Sequence, residues 1–113
     1  MEAAKKFLSS MFGMGSDPER AALARQWVEE GATLLDVRTP GEFGQGHLRG
    51  ALNVPVQVLQ QRIAEVPGAR VVVYCRSGGR SASAAKMLER YGKEVLDLGP
   101  MHAWPRDEDV VRG

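Results

Sequence analysis

The sequence predicts a small α/β domain of three layers, in which a mainly parallel sheet carries helices on both faces. Segments with strand character alternate along the chain with amphipathic helical segments, which is the pattern of parallel sheets. Residues 71–74 are an unbroken run of β-branched and aromatic side chains, typical of a strand buried on both faces. A length of 113 residues allows one such domain and excludes two of ordinary size.

Residues 1–15 are predicted to form an amphipathic helix and a linker that precede the domain of residues 16–113. Ser9 interrupts the apolar patch and no small-residue cleavage site follows, so we do not interpret this segment as a signal peptide. The apolar stripe of this helix either packs on its own domain or serves as a surface for docking or self-association, and the sequence favours neither. Its members recur at helical spacing and are Ala3, Ala4, Phe7, Leu8, Met11 and Phe12.

Residues 17–42 contain a helix, a strand and the start of a second helix. Asp17 is the predicted N-cap of the first helix, Pro18 suits its first turn, and Gly31 ends it. Residues 33–37 form a short buried strand, after which Thr39 and Glu42 have the spacing of a capping box. The predicted buried face of the first helix consists of Leu23, Ala24, Trp27 and Val28.

Residues 53–98 continue the alternation of strands and helices. Residues 53–54 close a short strand, and the helix that follows ends at Pro67. The strand of residues 71–74 leads through a short loop into a helix over residues 81–91, which Gly92 terminates, and residues 95–98 form a further strand. One side of the helix over residues 81–91 is predicted to carry Ala84, Ala85, Leu88 and Tyr91.

Composition and charge exclude several classes of function. Fifteen basic and fourteen acidic side chains leave a formal charge of +1, too small to favour nucleic acid or an anionic membrane as partner. No apolar run approaches the length of about 18 residues that spans a bilayer, so we expect no membrane span. The single cysteine, Cys75, excludes an internal disulfide, and with two histidines it is a poor set of metal ligands. We therefore expect no metal and a cytoplasmic protein.

Cys75 lies where the strongest predicted strand ends and a helix begins, the position at which open parallel sheets bind ligands. Gly78 and Gly79 allow the loop to curl so that successive N–H groups converge on one point, while Arg76 and Arg80 add positive charge. This setting is expected to lower the pKa of the thiol below its ordinary value of about 8.5. A lone cysteine is usually an inert buried residue, but this combination favours a reactive thiolate.

Four motifs in this order resemble those of the rhodanese homology domain, from about Leu34 to Trp104. They are residues 34–43 (LLDVRTPGEF), 46–55 (GHLRGALNVP), 73–81 (VYCRSGGRS) and 99–104 (GPMHAW). Arg49 stands where the family usually has proline, and Pro100 stands where it usually has a second glycine; both lie outside the loop. The resemblance implies the rhodanese-like fold and a single-domain sulfurtransferase.

By that resemblance, Cys75 attacks the sulfane sulfur of a donor such as thiosulfate, holds it as a persulfide and passes it to cyanide or a thiol. A protein thiol is one such acceptor. The resemblance implies that Arg76 and Arg80 pair with the oxygens of the donor, and it implies no cofactor. The backbone N–H groups that would hold the anionic sulfur belong to Ser77, Gly78, Gly79, Arg80 and Ser81.

Asp36 and Arg38 end a strand at the same edge of the predicted sheet as Cys75 and are candidate supporting residues. For Arg38 we favour a structural ion pair with Glu42 over contact with substrate. His47 is predicted to order a turn. His102 and Trp104 either line the mouth of the site or pack elsewhere, and the acidic residues 107–109 are interpreted as a solvated end.

Two rival functions share these features. Cell-cycle dual-specificity phosphatases have the same fold and a cysteine followed by an arginine, but they place one residue more between the two than separates Cys75 from Arg80. The shorter loop favours a single sulfur over a tetrahedral phosphate. A non-enzymatic carrier or redox-responsive module that accepts persulfide from a partner protein would need the same loop, so the sequence leaves it open beside the enzyme.

Overall fold

Four parallel strands form the central sheet, in the order β3-β1-β4-β5. They are β1 (Thr33–Asp36), β3 (Leu52–Asn53), β4 (Arg70–Cys75) and β5 (Glu94–Pro100). The structure is a computed structural model and describes residues 17–113. The predicted helix and linker of residues 1–15, and with them the domain boundary at residue 16, lie outside the described residues.

Helices cover both faces of this sheet, which confirms the predicted three-layer α/β fold. Helix α1 (Pro18–Glu29) packs on one face, and α3 (Val56–Arg62) and α4 (Gly79–Arg90) pack on the other, whereas the short helix α2 (Pro40–Gln45) buries no side chain. Along β4 the side chains alternate between the faces, because successive residues of a strand point in opposite directions. Val72 and Tyr74 pack in the cluster with α1, whereas Val71, Val73 and Cys75 pack with α3 and α4. None of the described helices has the length and apolar content to cross a membrane.

The predicted helix starts are confirmed at two caps. Asp17 accepts a hydrogen bond of 2.9 Å from the Glu19 amide at the start of α1. Thr39 and Glu42 form the reciprocal bonds of a capping box at the start of α2. Of the residues predicted to share one side of α4, Ala84 and Leu88 are buried, whereas Tyr91 is 53% exposed. Helix α4 ends at Arg90, and Tyr91 is its C-cap.

A second, two-stranded antiparallel sheet joins β2 (His47–Leu48) to β6 (Val110–Val111). The interpretation of residues 107–109 as a solvated end is therefore only half right. Asp107 and Glu108 are exposed, but the Asp109 carboxylate accepts a hydrogen bond of 2.8 Å from the indole N–H of Trp104, which is buried. The tail is tied to the domain because its backbone and one of its carboxylates find partners there.

Candidate active site

The Cys75 side chain is fully buried at the carboxyl end of β4, facing the layer of α3 and α4. The backbone N–H of Gly78 donates a hydrogen bond to its Sγ at 2.9 Å, and the N–H of Ser81 points to the same atom at 3.4 Å. These are two of the five amides, those of residues 77–81, that are predicted to hold an anionic sulfur; we call these five amides the cradle. Backbone donors that converge on sulfur at the start of a helix stabilise negative charge on it.

Residue 78 holds the loop in this shape. Gly78 has φ +111°, in the left-handed region that favours glycine, and it is the N-cap of α4. Its carbonyl accepts hydrogen bonds from the Ser81 hydroxyl and the Ala82 amide, both at 3.1 Å. Gly79 is the first residue of the helix. The helix therefore begins two residues earlier than the sequence predicts, because the first turn is formed by the glycines of the loop.

The two arginines of the loop have different surroundings. Arg76 and its neighbour Ser77 are exposed, and within residues 17–113 the Arg76 side chain makes no ion pair. The Arg80 guanidinium instead donates to both oxygens of Glu42, at 2.7 and 3.0 Å. Its hydrogen bonds lower the pKa of Glu42 to about 2. That Arg80 binds the donor stays a prediction, and in this structure its charge is already paired.

The expected ion pair between Arg38 and Glu42 is wrong. Arg38 donates from Nε and Nη2 to the Asp36 carboxylate, with a shortest distance of 2.6 Å, and Nη2 also donates to the carbonyl of Gly46 at 2.7 Å. Asp36 is fully buried and Arg38 is 5% exposed. The Arg38 guanidinium turns inward because the Asp36 carboxylate, two residues away in sequence, is buried beside it. Asp36 and Arg38 thus form a buried ion pair at the carboxyl end of β1, and the Glu42 carboxylate pairs with Arg80 instead.

The histidines and Trp104 each have different surroundings. Nδ1 of His47 lies 2.8 Å from the Phe43 carbonyl, and the ring stacks on the Phe43 side chain, which confirms that His47 orders a turn. His102 is exposed on a short 3₁₀ turn, whereas Trp104 packs in the core on the α1 face. At one departure from the family's pattern, Arg49 is exposed and donates to the carbonyl of Glu108.

The sequence analysis missed Asp97, on the strand next to Cys75. The register of β5 against β4 shifts between Val73 and Tyr74, so that Pro100 lies opposite Cys75. The Asp97 carboxylate accepts a hydrogen bond of 2.9 Å from the Gly99 amide at this irregularity. Burial raises its pKa. A charged residue inside a strand that otherwise reads as apolar is the signal that could have identified it.

This arrangement suits covalent chemistry on sulfur. It offers one buried thiol, amides aimed at it, and a loop cation, Arg76, that has no ion-pair partner among residues 17–113. Throughout the described part of the chain, no cluster of three histidine, cysteine, aspartate or glutamate side chains could bind a metal. A sulfur atom bonded to Sγ would extend the anion toward the same loop.

Comparisons with known proteins agree with this geometry. The family model of the rhodanese-like domain matches residues 20–106. A sulfurtransferase of Allochromatium vinosum is 42% identical over 80 residues, which are 68% of this chain and 75% of that protein. Thiosulfate sulfurtransferase PspE of Escherichia coli is 39% identical over 61 residues, 51% of this chain and 59% of that protein.

A solved structure described as a rhodanese with anions from E. coli superposes with a TM-score of 0.65 at 32% identity, and the match covers 74% of this chain and all of the other. Its fold and the fold described above are the same arrangement of a parallel sheet between helices. The matched residues include Cys75 and every member of its loop, together with β1 and α2. This chain belongs to the rhodanese-like domain family.

Proposed function

We propose that the protein is a sulfurtransferase that carries sulfane sulfur as a persulfide on Cys75. The observation that carries the proposal is the pair of backbone N–H groups, from Gly78 and Ser81, directed at Cys75 Sγ. The thiolate is the nucleophilic form of cysteine, and preorganised amides stabilise it at no cost in reorganisation. The sulfurtransferase names of relatives that match most of the domain support the same reaction class.

With thiosulfate, the Cys75 thiolate attacks the outer sulfur of the donor. The bond between the two sulfur atoms of thiosulfate breaks and its electron pair leaves with sulfite, so Cys75 becomes a persulfide that keeps one negative charge. In the second step cyanide or a thiolate attacks the terminal sulfur, and the electron pair of the broken bond returns to Cys75. This is a two-step covalent mechanism, and charge balances in each step without a general base.

In this proposal the loop recognises the donor and holds the transferred sulfur. Arg76 is exposed and unpaired within the described residues, so its guanidinium is available to the oxygens of the donor. The terminal sulfur of a persulfide would be held by the amides of residues 77–81, of which those of Gly78 and Ser81 already converge on Sγ.

The experiment measures sulfur on the protein directly. The chain is incubated with thiosulfate, its intact mass is recorded, and cyanide is then added while thiocyanate is measured. We expect the mass to increase by one sulfur atom, which cyanide removes. Cys75→Ser should gain no sulfur, because serine is similar to cysteine in size and preserves the fold, but its hydroxyl is a poor nucleophile. Cys75-dependent hydrolysis of an aryl phosphate, with no sulfur gained from any donor, would refute the proposal and favour the phosphatase.

A further inference from the structure

The ion pair between Arg80 and Glu42 joins the cysteine loop to α2, across a separation of 38 residues in sequence. Thr39 binds the same carboxylate. Its backbone N–H and its hydroxyl donate to Glu42 Oε1 at 3.0 and 3.1 Å. The Glu42 carboxylate is therefore fixed by the capping box of α2 and accepts bidentate hydrogen bonds from the Arg80 guanidinium. Such paired bonds hold an arginine in one orientation.

The pair cancels one of the two positive charges of the loop. Since the pKa of Glu42 is about 2, its carboxylate is ionised at every pH at which a cysteine thiolate exists. The neighbouring carboxylate of Asp36 is already matched by Arg38 and does not compete for Arg80. In the described loop, Arg76 is left as the cation without an ion-pair partner.

We propose that Glu42 sets the donor specificity of this site: by holding Arg80 it withholds a positive charge, so that singly charged donors, persulfides and thiosulfonates, are preferred over doubly charged thiosulfate. This inference rests on the sulfurtransferase function proposed above. The transfer from a thiosulfonate has the same balance as that from thiosulfate. The Cys75 thiolate takes the outer sulfur, the bond between the two sulfur atoms breaks, and its electron pair leaves with a sulfinate instead of sulfite.

Two donors of the same chemistry and different charge test the proposal. Thiosulfate carries two negative charges and benzenethiosulfonate carries one, and both deliver an outer sulfur bonded to a sulfonyl sulfur. The quantity measured is the ratio of kcat/KM for thiosulfate to kcat/KM for benzenethiosulfonate, with cyanide as acceptor. A ratio between two donors on one enzyme cancels differences in protein concentration and in the reactivity of Cys75.

Glu42→Gln is the matched substitution, because glutamine can keep the capping box with Thr39 while it removes the charge. We expect the donor ratio to rise on the order of fivefold, the size of effect that one partly exposed charge has on binding. The change should lie in a lower KM for thiosulfate with kcat unaltered, since it adds attraction for the donor before and during reaction alike. It should shrink in high salt.

A double variant gives a second, independent measurement. Glu42→Gln with Arg80→Gln removes both charges at once, so the proposal requires a donor ratio close to that of the wild type. If Arg80 instead binds the donor in the wild type, the double variant loses thiosulfate selectively. Glu65→Gln is the charge control, because Glu65 pairs with Arg62 in an exposed turn that precedes β4, far from its carboxyl end.

The outcomes separate this inference from the proposed function. If the wild type gains sulfur from a donor but Glu42→Gln leaves the donor ratio unchanged, Glu42 does not set specificity. If Glu42→Gln slows both donors equally, its role is only structural and the inference is equally overturned. If the wild type gains sulfur from neither donor, the sulfurtransferase function itself fails.

Discussion

The backbone N–H of Gly78 donates a hydrogen bond to Cys75 Sγ at 2.9 Å, and this contact exists because Gly78 has a positive φ of 111°. A residue with a Cβ pays a steric penalty in this region. The position has open space around it, since a Cβ there meets no atom within 4 Å. The requirement for glycine at residue 78 is therefore conformational and not one of packing.

Gly78→Ala is expected to slow persulfide formation on Cys75 and to lower the free energy of unfolding by about 1 kcal/mol. The strained backbone relaxes toward negative φ and turns the amide away from sulfur. Mass spectrometry of sulfur loading over time gives the rate, and urea unfolding gives the stability. Gly92→Ala is the matched control, because Gly92 has φ 108° and equal space beyond the opposite end of α4. It should lose stability but load sulfur at the normal rate.

Glu42 makes the free energy of unfolding depend on pH in the acid range. Its pKa falls from 4.5 in the unfolded chain to about 2, chiefly through the hydrogen bonds from Arg80. A group with a lowered folded pKa contributes in full above the unfolded value, and the contribution is lost as the pH falls from about 4.5 to about 2. Screening of this partly exposed pair reduces its contribution to roughly 1–2 kcal/mol. Urea unfolding should show Glu42→Gln less stable than wild type at pH 7 and equal to it near pH 2.

Asp36→Asn is expected to destabilise the protein far more than loss of an exposed carboxylate does. It leaves the charge of Arg38, which is 5% exposed, without its counter-ion, and breaking a buried pair in this way costs about 3–5 kcal/mol. Glu65→Gln, which breaks the exposed pair with Arg62, should leave the unfolding midpoint close to that of the wild type, because solvent screens such a pair. Equal unfolding midpoints for the two variants in urea would contradict the structural role assigned to Asp36.

Asp97 is expected to respond to pH in the opposite sense to Glu42. Burial raises its folded pKa above 3.8, so its contribution to stability is full below 3.8 and is lost as the pH rises through the folded value. Asn in its place keeps an acceptor for the Gly99 amide without the half-buried charge, whereas Ala removes the acceptor. At pH 7 we expect Asp97→Asn to be at least as stable as wild type and Asp97→Ala to lose about 1 kcal/mol. A more stable wild type than Asp97→Asn at neutral pH would show that the carboxylate is needed in its charged form.

Local signals were enough to predict most of the secondary structure. The cap at Asp17, the capping box of Thr39 and Glu42, and the β-branched strand before Cys75 are patterns of neighbouring residues, and neighbours determine helix starts and buried strands. Strands β2 and β6 were not predicted, because two residues are too few to show a period and each strand is stabilised only by the other. The tail was misread for the same reason.

In the site, too, the features formed by neighbouring residues could be predicted and the contacts between distant residues could not. Cys75, its glycines and its arginines are contiguous in sequence, so the cradle could be predicted from the loop and the helix start that follows it. The sequence placed Glu42 near Arg38, since the two are four residues apart, but Arg38 turns to Asp36 and Glu42 binds Arg80. Spacing along the chain gave the wrong partner because both arginines lie within reach of more than one carboxylate.

The sequence by itself determined where the nucleophile lies and what backbone surrounds it, because a strand end, two glycines and a helix start are encoded within a few residues. Only the tertiary structure decided which charges around Cys75 remain available. Arg80 and Glu42 are 38 residues apart and meet because β1 and β4 are adjacent in the parallel sheet, which brings the loops after both strands to one edge. Charges compensate each other through space, so their balance at a site follows from the packing of strands and not from their order in the chain.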